Sequence, residues 1–227
     1  MTTFEISGAD PQLRAQLARQ LAAIIPGATL REQVLPQCGD LRLLLLEDYP
    51  RDVLDAEASQ RVMDNPLYWV LCWASGQVLA EYLLDNPDTV RGRRVLDFGC
   101  GSGVVAIAAA LVGAREVIAC DIDPLALQAT AYNAALNAVD LTLAADFEAV
   151  DGDLDLILVA DVLYDRENLP WLERFTARAG QVLVADSRIR NFDRPPYRRI
   201  EQRESCTLPD LDESAEFRFV TLYRAGG

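Results

Sequence analysis

Asp97, Gly99, Gly101, Gly103, Asp121, Asp161 and Tyr164 have the types and spacings that chemistry needs. Glycines lack a Cβ, so the turn Gly99-Cys-Gly101-Ser-Gly103 lets backbone approach a ligand closely. Asp121 falls 24 positions after Asp97, where a carboxylate can accept hydrogen bonds from ribose hydroxyls. That combination suits an adenosine-containing ligand. The glycines do not say which one, because GSGVVA from Gly101 also satisfies the dinucleotide fingerprint. Asp97 favours a cation: a carboxylate two residues before the first glycine is poorly placed beside a pyrophosphate. S-adenosylmethionine carries a sulfonium and an ammonium and no phosphate.

These residues need a frame. Val95-Leu96 is a short apolar run ending on Asp97, Val104–Leu111 is an alanine-rich helical segment, and Val117–Cys120 is a second apolar run ending on Asp121. This is a strand, turn, helix, strand unit, and open parallel sheets bind ligands at the carboxyl ends of their strands. A helix over Leu125–Asn137 and a short strand over Leu141–Ala145 follow, ending at Asp146. Leu154–Ala160 is almost continuously apolar, as a strand covered on both faces should be, and it ends on Asp161-Val-Leu-Tyr164. Asp161 also fits an N-cap at a strand–helix junction. A helix over Glu167–Ala177, a strand over Gln181–Ala185 and two late β runs near 199–207 and 216–224 complete an α/β fold whose last pair is antiparallel.

Upstream, residues 9–24 read as a helix with Asp10 at the N-cap and Pro11 at the first position. Ala28–Leu35 and Leu41–Leu46 read as a hairpin, and Tyr49–Pro66 as a connector. Leu67–Leu84 reads as one helix, with Trp69 and Trp73 on a shared face. The expected division is an extension over 1–64 and a ligand-binding domain over 65–227.

Composition narrows the chemistry. There is no histidine, which removes Ser-His-Asp and Cys-His arrangements and imidazole metal sites. There is no lysine either, since all 21 basic residues are arginine. Hydride transfer thereby loses its usual Tyr-Lys pair. Five cysteines without a C-x-x-C pair read as reduced thiols, and the N-terminus has no secretory pattern, so the expected location is cytoplasmic. No apolar run reaches the roughly 18 residues of a membrane span. The net charge is −14, and no basic residue falls between Glu116 and Asp165. Such a field repels nucleic acid and attracts basic partners. Oligomeric state is not readable.

VLDFGCGSG with ACDIDP resembles the class I methyltransferases, which implies a seven-strand, mostly parallel Rossmann-like sheet and S-adenosylmethionine as cofactor. Asp161-x-x-Tyr164 resembles the protein-lysine branch. From about Asn65 to Asp165 the chain is similar to the lysine methyltransferases of the electron transfer flavoprotein β subunit, through YWVLCWASGQVLAEYLLDNPDTVRG, the glycine unit and LILVADVLYD. The first sixty residues and the tail after Ala185 match less well. Cys100 stands where the family has a small residue or serine. The resemblance implies cofactor contacts from Trp73, Asp97, Gly99, Gly101, Gly103, Asp121 and Asp161, an adenine-side position at Asp146, and an acceptor amine facing Asp161 and Tyr164. No metal is implied. The favoured partner is that β subunit; the alternatives are a ribosomal protein, a small amine such as nicotinamide, or a non-catalytic binding module.

Overall fold

The computed structural model describes residues 9–47, 56–163, 166–189, 192–210 and 212–227. The chain enters through α1 (Pro11–Ile24), where the Asp10 carboxylate accepts from Gln12 N at 2.8 Å and Leu17 and Leu21 are buried. An antiparallel hairpin follows, β1 (Leu30–Val34) and β2 (Arg42–Leu46), with Leu30 opposite Leu46. β2 is covered on both sides. Leu43 and Leu45 join the core beneath the central helices, while Leu44 and Leu46 join Leu17, Leu21 and Trp69.

After α2 (Ala56–Asp64) the single helix expected over Leu67–Leu84 is broken. Tyr68–Val70 forms a 3-10 turn, and α3 starts only at Ala74 and runs to Asp85. The reason lies elsewhere in the chain: Cys72 and Leu208 exchange both backbone hydrogen bonds at 2.8 Å, which holds this stretch extended. The two tryptophans therefore do not share a helical face. Trp69 is fully buried, whereas Trp73 is half-buried beside Tyr68.

β3 (Arg94–Phe98), α4 (Val104–Leu111), β4 (Glu116–Cys120), α5 (Pro124–Leu136), β5 (Thr142–Ala144), β6 (Leu154–Ala160), α6 (Trp171–Arg178), β7 (Ala179–Asp186), β8 (Arg198–Glu204) and β9 (Phe219–Gly226) complete the chain. Seven strands form one sheet in the order β5-β4-β3-β6-β7-β9-β8, parallel except where β9 meets β7 and β8. Alternation along β6 accounts for its unbroken apolar run. Leu156 and Leu158 pack under α3 and α4, and Ile157 and Val159 face Phe175 of α6 on the opposite layer. Gly76 lets α3 approach α4, since a Cβ there would lie 3.0 Å from Val104 Cγ1.

Candidate active site

The strand order brings the acidic residues to one edge of the sheet. Asp97 lies in β3 next to the glycine turn. It is 2% exposed, and its Oδ2 accepts from Ala106 N in the first turn of α4 at 3.0 Å. The cap residue of that helix, Gly103, has no side chain to offer, so Asp97 supplies an acceptor from the strand. Burial pushes its carboxyl up to about 7, against the lowering effect of that amide. Asp121, at the end of β4, accepts from Gly101 N and Asp123 N, each at 2.9 Å, and thereby ties the glycine turn to the neighbouring strand. Burial raises its carboxyl as well.

The three glycines differ in what they permit. All have positive φ: 70° at Gly99, 52° at Gly101 and 83° at Gly103. A Cβ at Gly103 would strike Thr130 at 2.8 Å, and one at Gly99 would strike Val162 Cγ2 at 2.9 Å. At Gly101 it would meet nothing within 4 Å. The open face of the turn is therefore at Gly101. Beside the carboxylates, Ile122 projects an apolar side chain that is 90% exposed. A turn with no side chain at Gly101, two carboxylates and a bare apolar side chain fits an adenosine group that carries a cation.

Thr130 and Asn133 of α5 hold this turn from below. Thr130 Oγ1 donates to Gly101 O at 3.1 Å, and Asn133 Nδ2 donates to Ser102 O at 2.8 Å. Asn133 Oδ1 also accepts from Leu44 N in β2 at 2.7 Å, so one amide joins the hairpin to the turn.

A second cluster lies one strand over. Asp161 follows β6 in a left-handed conformation (φ 52°), which aspartate tolerates better than most residues. Its two oxygens accept from Ser75 Oγ at 2.6 Å and Ser75 N at 3.1 Å. It is thus a helix cap, but of α3, 86 residues earlier, and not of a following helix. Burial pushes it up to about 7; Ser75 and the cation of Arg188 oppose the rise, while the charge of Asp186 adds to it. Trp73 belongs to this cluster through its neighbour Ser75, with its Nε1 donating to Tyr68 O at 3.2 Å. Val162 against Gly99 is where the two clusters touch. Asp146 stands apart: it is exposed after β5, with Oδ1 accepting from Glu148 N. Tyr164 lies outside the described residues.

The profile of the ribosomal protein L11 methyltransferase (PrmA) family matches residues 78–178. Among solved structures, magnesium protoporphyrin IX methyltransferase from Synechocystis PCC 6803, with bound SAM, superposes with a TM-score of 0.52 at 17% identity, covering 67% of this chain and 79% of that one. That likeness shows a shared fold. The electron transfer flavoprotein beta subunit lysine methyltransferase of Rattus norvegicus is 40% identical over 127 residues, 52% of this chain, which spans only half (50%) of the rat protein. Its Mus musculus counterpart is 37% identical over 210 residues, 88% of this chain and 78% of the mouse protein. The chain belongs to this lysine methyltransferase family. Its sheet is the class I methyltransferase sheet.

Within this family member, sequence reasoning missed four residues at the site. Ile122 was visible as the apolar residue between two aspartates in CDIDP. Thr130 and Asn133 lie on a helix whose face cannot be assigned to the turn without the fold. Asp186 carries no spacing signal.

Proposed function

We propose that the protein is an S-adenosylmethionine-dependent protein-lysine N-methyltransferase whose acceptor is the electron transfer flavoprotein β subunit. The observation that carries this reading is the pairing of two neighbouring clusters at one sheet edge: the open glycine turn with Asp97 and Asp121, and, at the end of the next strand, Asp161 held by Ser75 at the start of α3. Kinship with methyltransferases of that substrate supports the choice of acceptor. Five unpaired thiols accord with a reducing, cytoplasmic location.

In this reading Gly101, Asp121 and Ile122 hold the nucleoside, and Asp97 faces its cationic portion. When bound, S-adenosylmethionine supplies a methyl group on a sulfonium, whose carbon–sulfur bond breaks as the bond to the acceptor nitrogen forms. The chain contributes position and field. An acceptor ammonium with an ordinary pKa near 10.4 costs about 4 to 5 kcal/mol to deprotonate at pH 7, which desolvation at a buried site reduces. Asp161 is rigidly held by Ser75, so it orients the amine; the proton leaves to water before the acceptor seats fully.

The test is incubation with tritiated S-adenosylmethionine and purified β subunit, with mass spectrometry of the product. We expect methylated lysine, and at least a hundredfold loss of transfer in Asp161→Ala. Retained cofactor binding with no label on the β subunit would overturn the acceptor. The PrmA match over 78–178 favours ribosomal protein L11 as the second acceptor, so label on L11 alone would select that reading.

A further inference from the structure

Asp161, the aspartate of the D-x-x-Y motif, already has both oxygens engaged by Ser75. The next strand over carries another acid. Asp186 ends β7 directly beside Asp161: Ala160 pairs with Ala185, and Asp161 N donates to Ala185 O at 3.3 Å. Asp186 is 3% exposed. Its Oδ1 accepts from Arg188 N and Ile189 N, each at 2.7 Å, yet its Oδ2 is buried with no hydrogen-bond partner among the described residues. A buried carboxylate oxygen without a donor is costly, and native structures almost always satisfy such atoms.

The cation nearest in sequence does not satisfy it. The Arg188 guanidinium is engaged by Glu213 at 2.5 Å and lies 4.5 Å from the Phe217 ring and 6.0 Å from the Trp73 ring. Its charge still favours the ionised forms of both Asp161 and Asp186. Glu213 and Phe217 come from the segment joining β8 to β9, which is fastened to the start of α3 by the Cys72–Leu208 bridge. The corner thus holds the carboxylates of Asp161 and Asp186, one cation paired with a third carboxylate, Glu213, and one unfilled acceptor. It lies on the side of β6 away from the glycine turn, because β7 follows β6 in the sheet and β3 precedes it. A donor arriving there belongs to the acceptor and not to the nucleoside.

We propose that Asp186 Oδ2 is the hydrogen-bond acceptor for the target lysine amine, with Asp161 as the neighbouring charge that orients it. The inference rests on the lysine methyltransferase reading and names a second acid for the same site. Other charged or titratable groups that bear on Asp186 are Asp161 just after β6, Arg188 two residues beyond the end of β7 with its partner Glu213, and Tyr223 on β9.

The test uses Asp186→Asn, which keeps an oxygen for the Arg188 and Ile189 amides, and Asp186→Ser as a smaller second variant. Three quantities are measured with the β subunit as acceptor: S-adenosylmethionine affinity, the rate of transfer, and binding of the acceptor and of its target Lys→Met form in the presence of S-adenosylhomocysteine. We expect cofactor affinity within threefold of the parent and kcat/KM at least a hundredfold lower in both variants. The parent should bind the lysine acceptor at least tenfold more tightly than the methionine form, and the variants should bind the two alike. A merely structural role for Asp186 would leave that preference intact. Transfer within threefold of the parent, or a preserved preference for lysine, overturns the proposal while the methyltransferase reading stands. No transfer by the parent chain overturns both.

Discussion

At the scale of single residues, the site collects carboxyls that burial has made reluctant to ionise. Asp97 and Asp161 are each pushed up to about 7, against an ordinary value near 3.9 in an unfolded chain. Between those values the folded state holds protons that the unfolded state has lost. The associated stability is complete below about pH 4 and disappears as pH rises through 7. We expect the melting temperature of the ligand-free protein to fall between pH 5 and pH 8, with a shallower slope in Asp97→Asn, measured by calorimetry at constant ionic strength. A cationic cofactor reverses the balance, since it favours the ionised carboxylate. The rise in melting temperature produced by S-adenosylmethionine should accordingly be larger at pH 8 than at pH 6. A pH-independent rise would show that Asp97 does not face the cation.

At the scale of elements, α5 is the support of the glycine turn. Replacing Asn133 by Ala leaves Leu44 N and Ser102 O without their partner, and each buried orphan costs about 1 to 3 kcal/mol. Urea unfolding of Asn133→Ala should show about 2 to 6 kcal/mol lost, and S-adenosylmethionine should bind about tenfold more weakly because Ser102 is released. Unchanged affinity would mean that the turn holds its shape without α5. The unit from Val95 to Pro124 was legible in the sequence because its signals are local: an apolar run, a glycine turn and an acid follow one another within each strand–turn segment. The 67–84 stretch was not. Its apolar period is helical, but Leu208 and Asp161 decide where α3 begins, and neither is visible to a local pattern. Asp161 was readable as a candidate cap, whereas the helix it caps was not. Asp186 was hidden for a related reason: its significance comes from the strand beside it and from an oxygen left without a donor.

At the scale of the whole molecule, the sheet divides the labour. In the proposed mechanism the acids at the ends of β4 and β3 serve the cofactor, and those at the ends of β6 and β7 serve the acceptor. Outside that edge, Asp140, Asp146, Glu148, Asp151, Asp153 and Asp155 are all exposed, so the charge of −14 includes a rim facing solvent. A field of this kind acts on encounter with a basic protein and is screened over roughly 10 Å at 0.1 M salt. Raising salt from 50 to 500 mM should lower kcat/KM for the protein acceptor about tenfold and change S-adenosylmethionine affinity less than twofold. Equal sensitivity of both would assign the salt effect to the site and not to the rim.

The four leucines of β2 have a consequence for how the hairpin finds its place. A slip of one residue sends every side chain of a strand to the opposite face. Here such a slip would largely exchange leucine for leucine, so the side chains carry almost no phase. Part of the alignment is instead written in backbone contacts to two asparagines: Asn133 takes Leu44 N, and Asn137 takes Arg42 N and gives to Arg42 O. Two amides, one in α5 and one at its C-cap, thus act as index marks on a ruler whose side chains look alike.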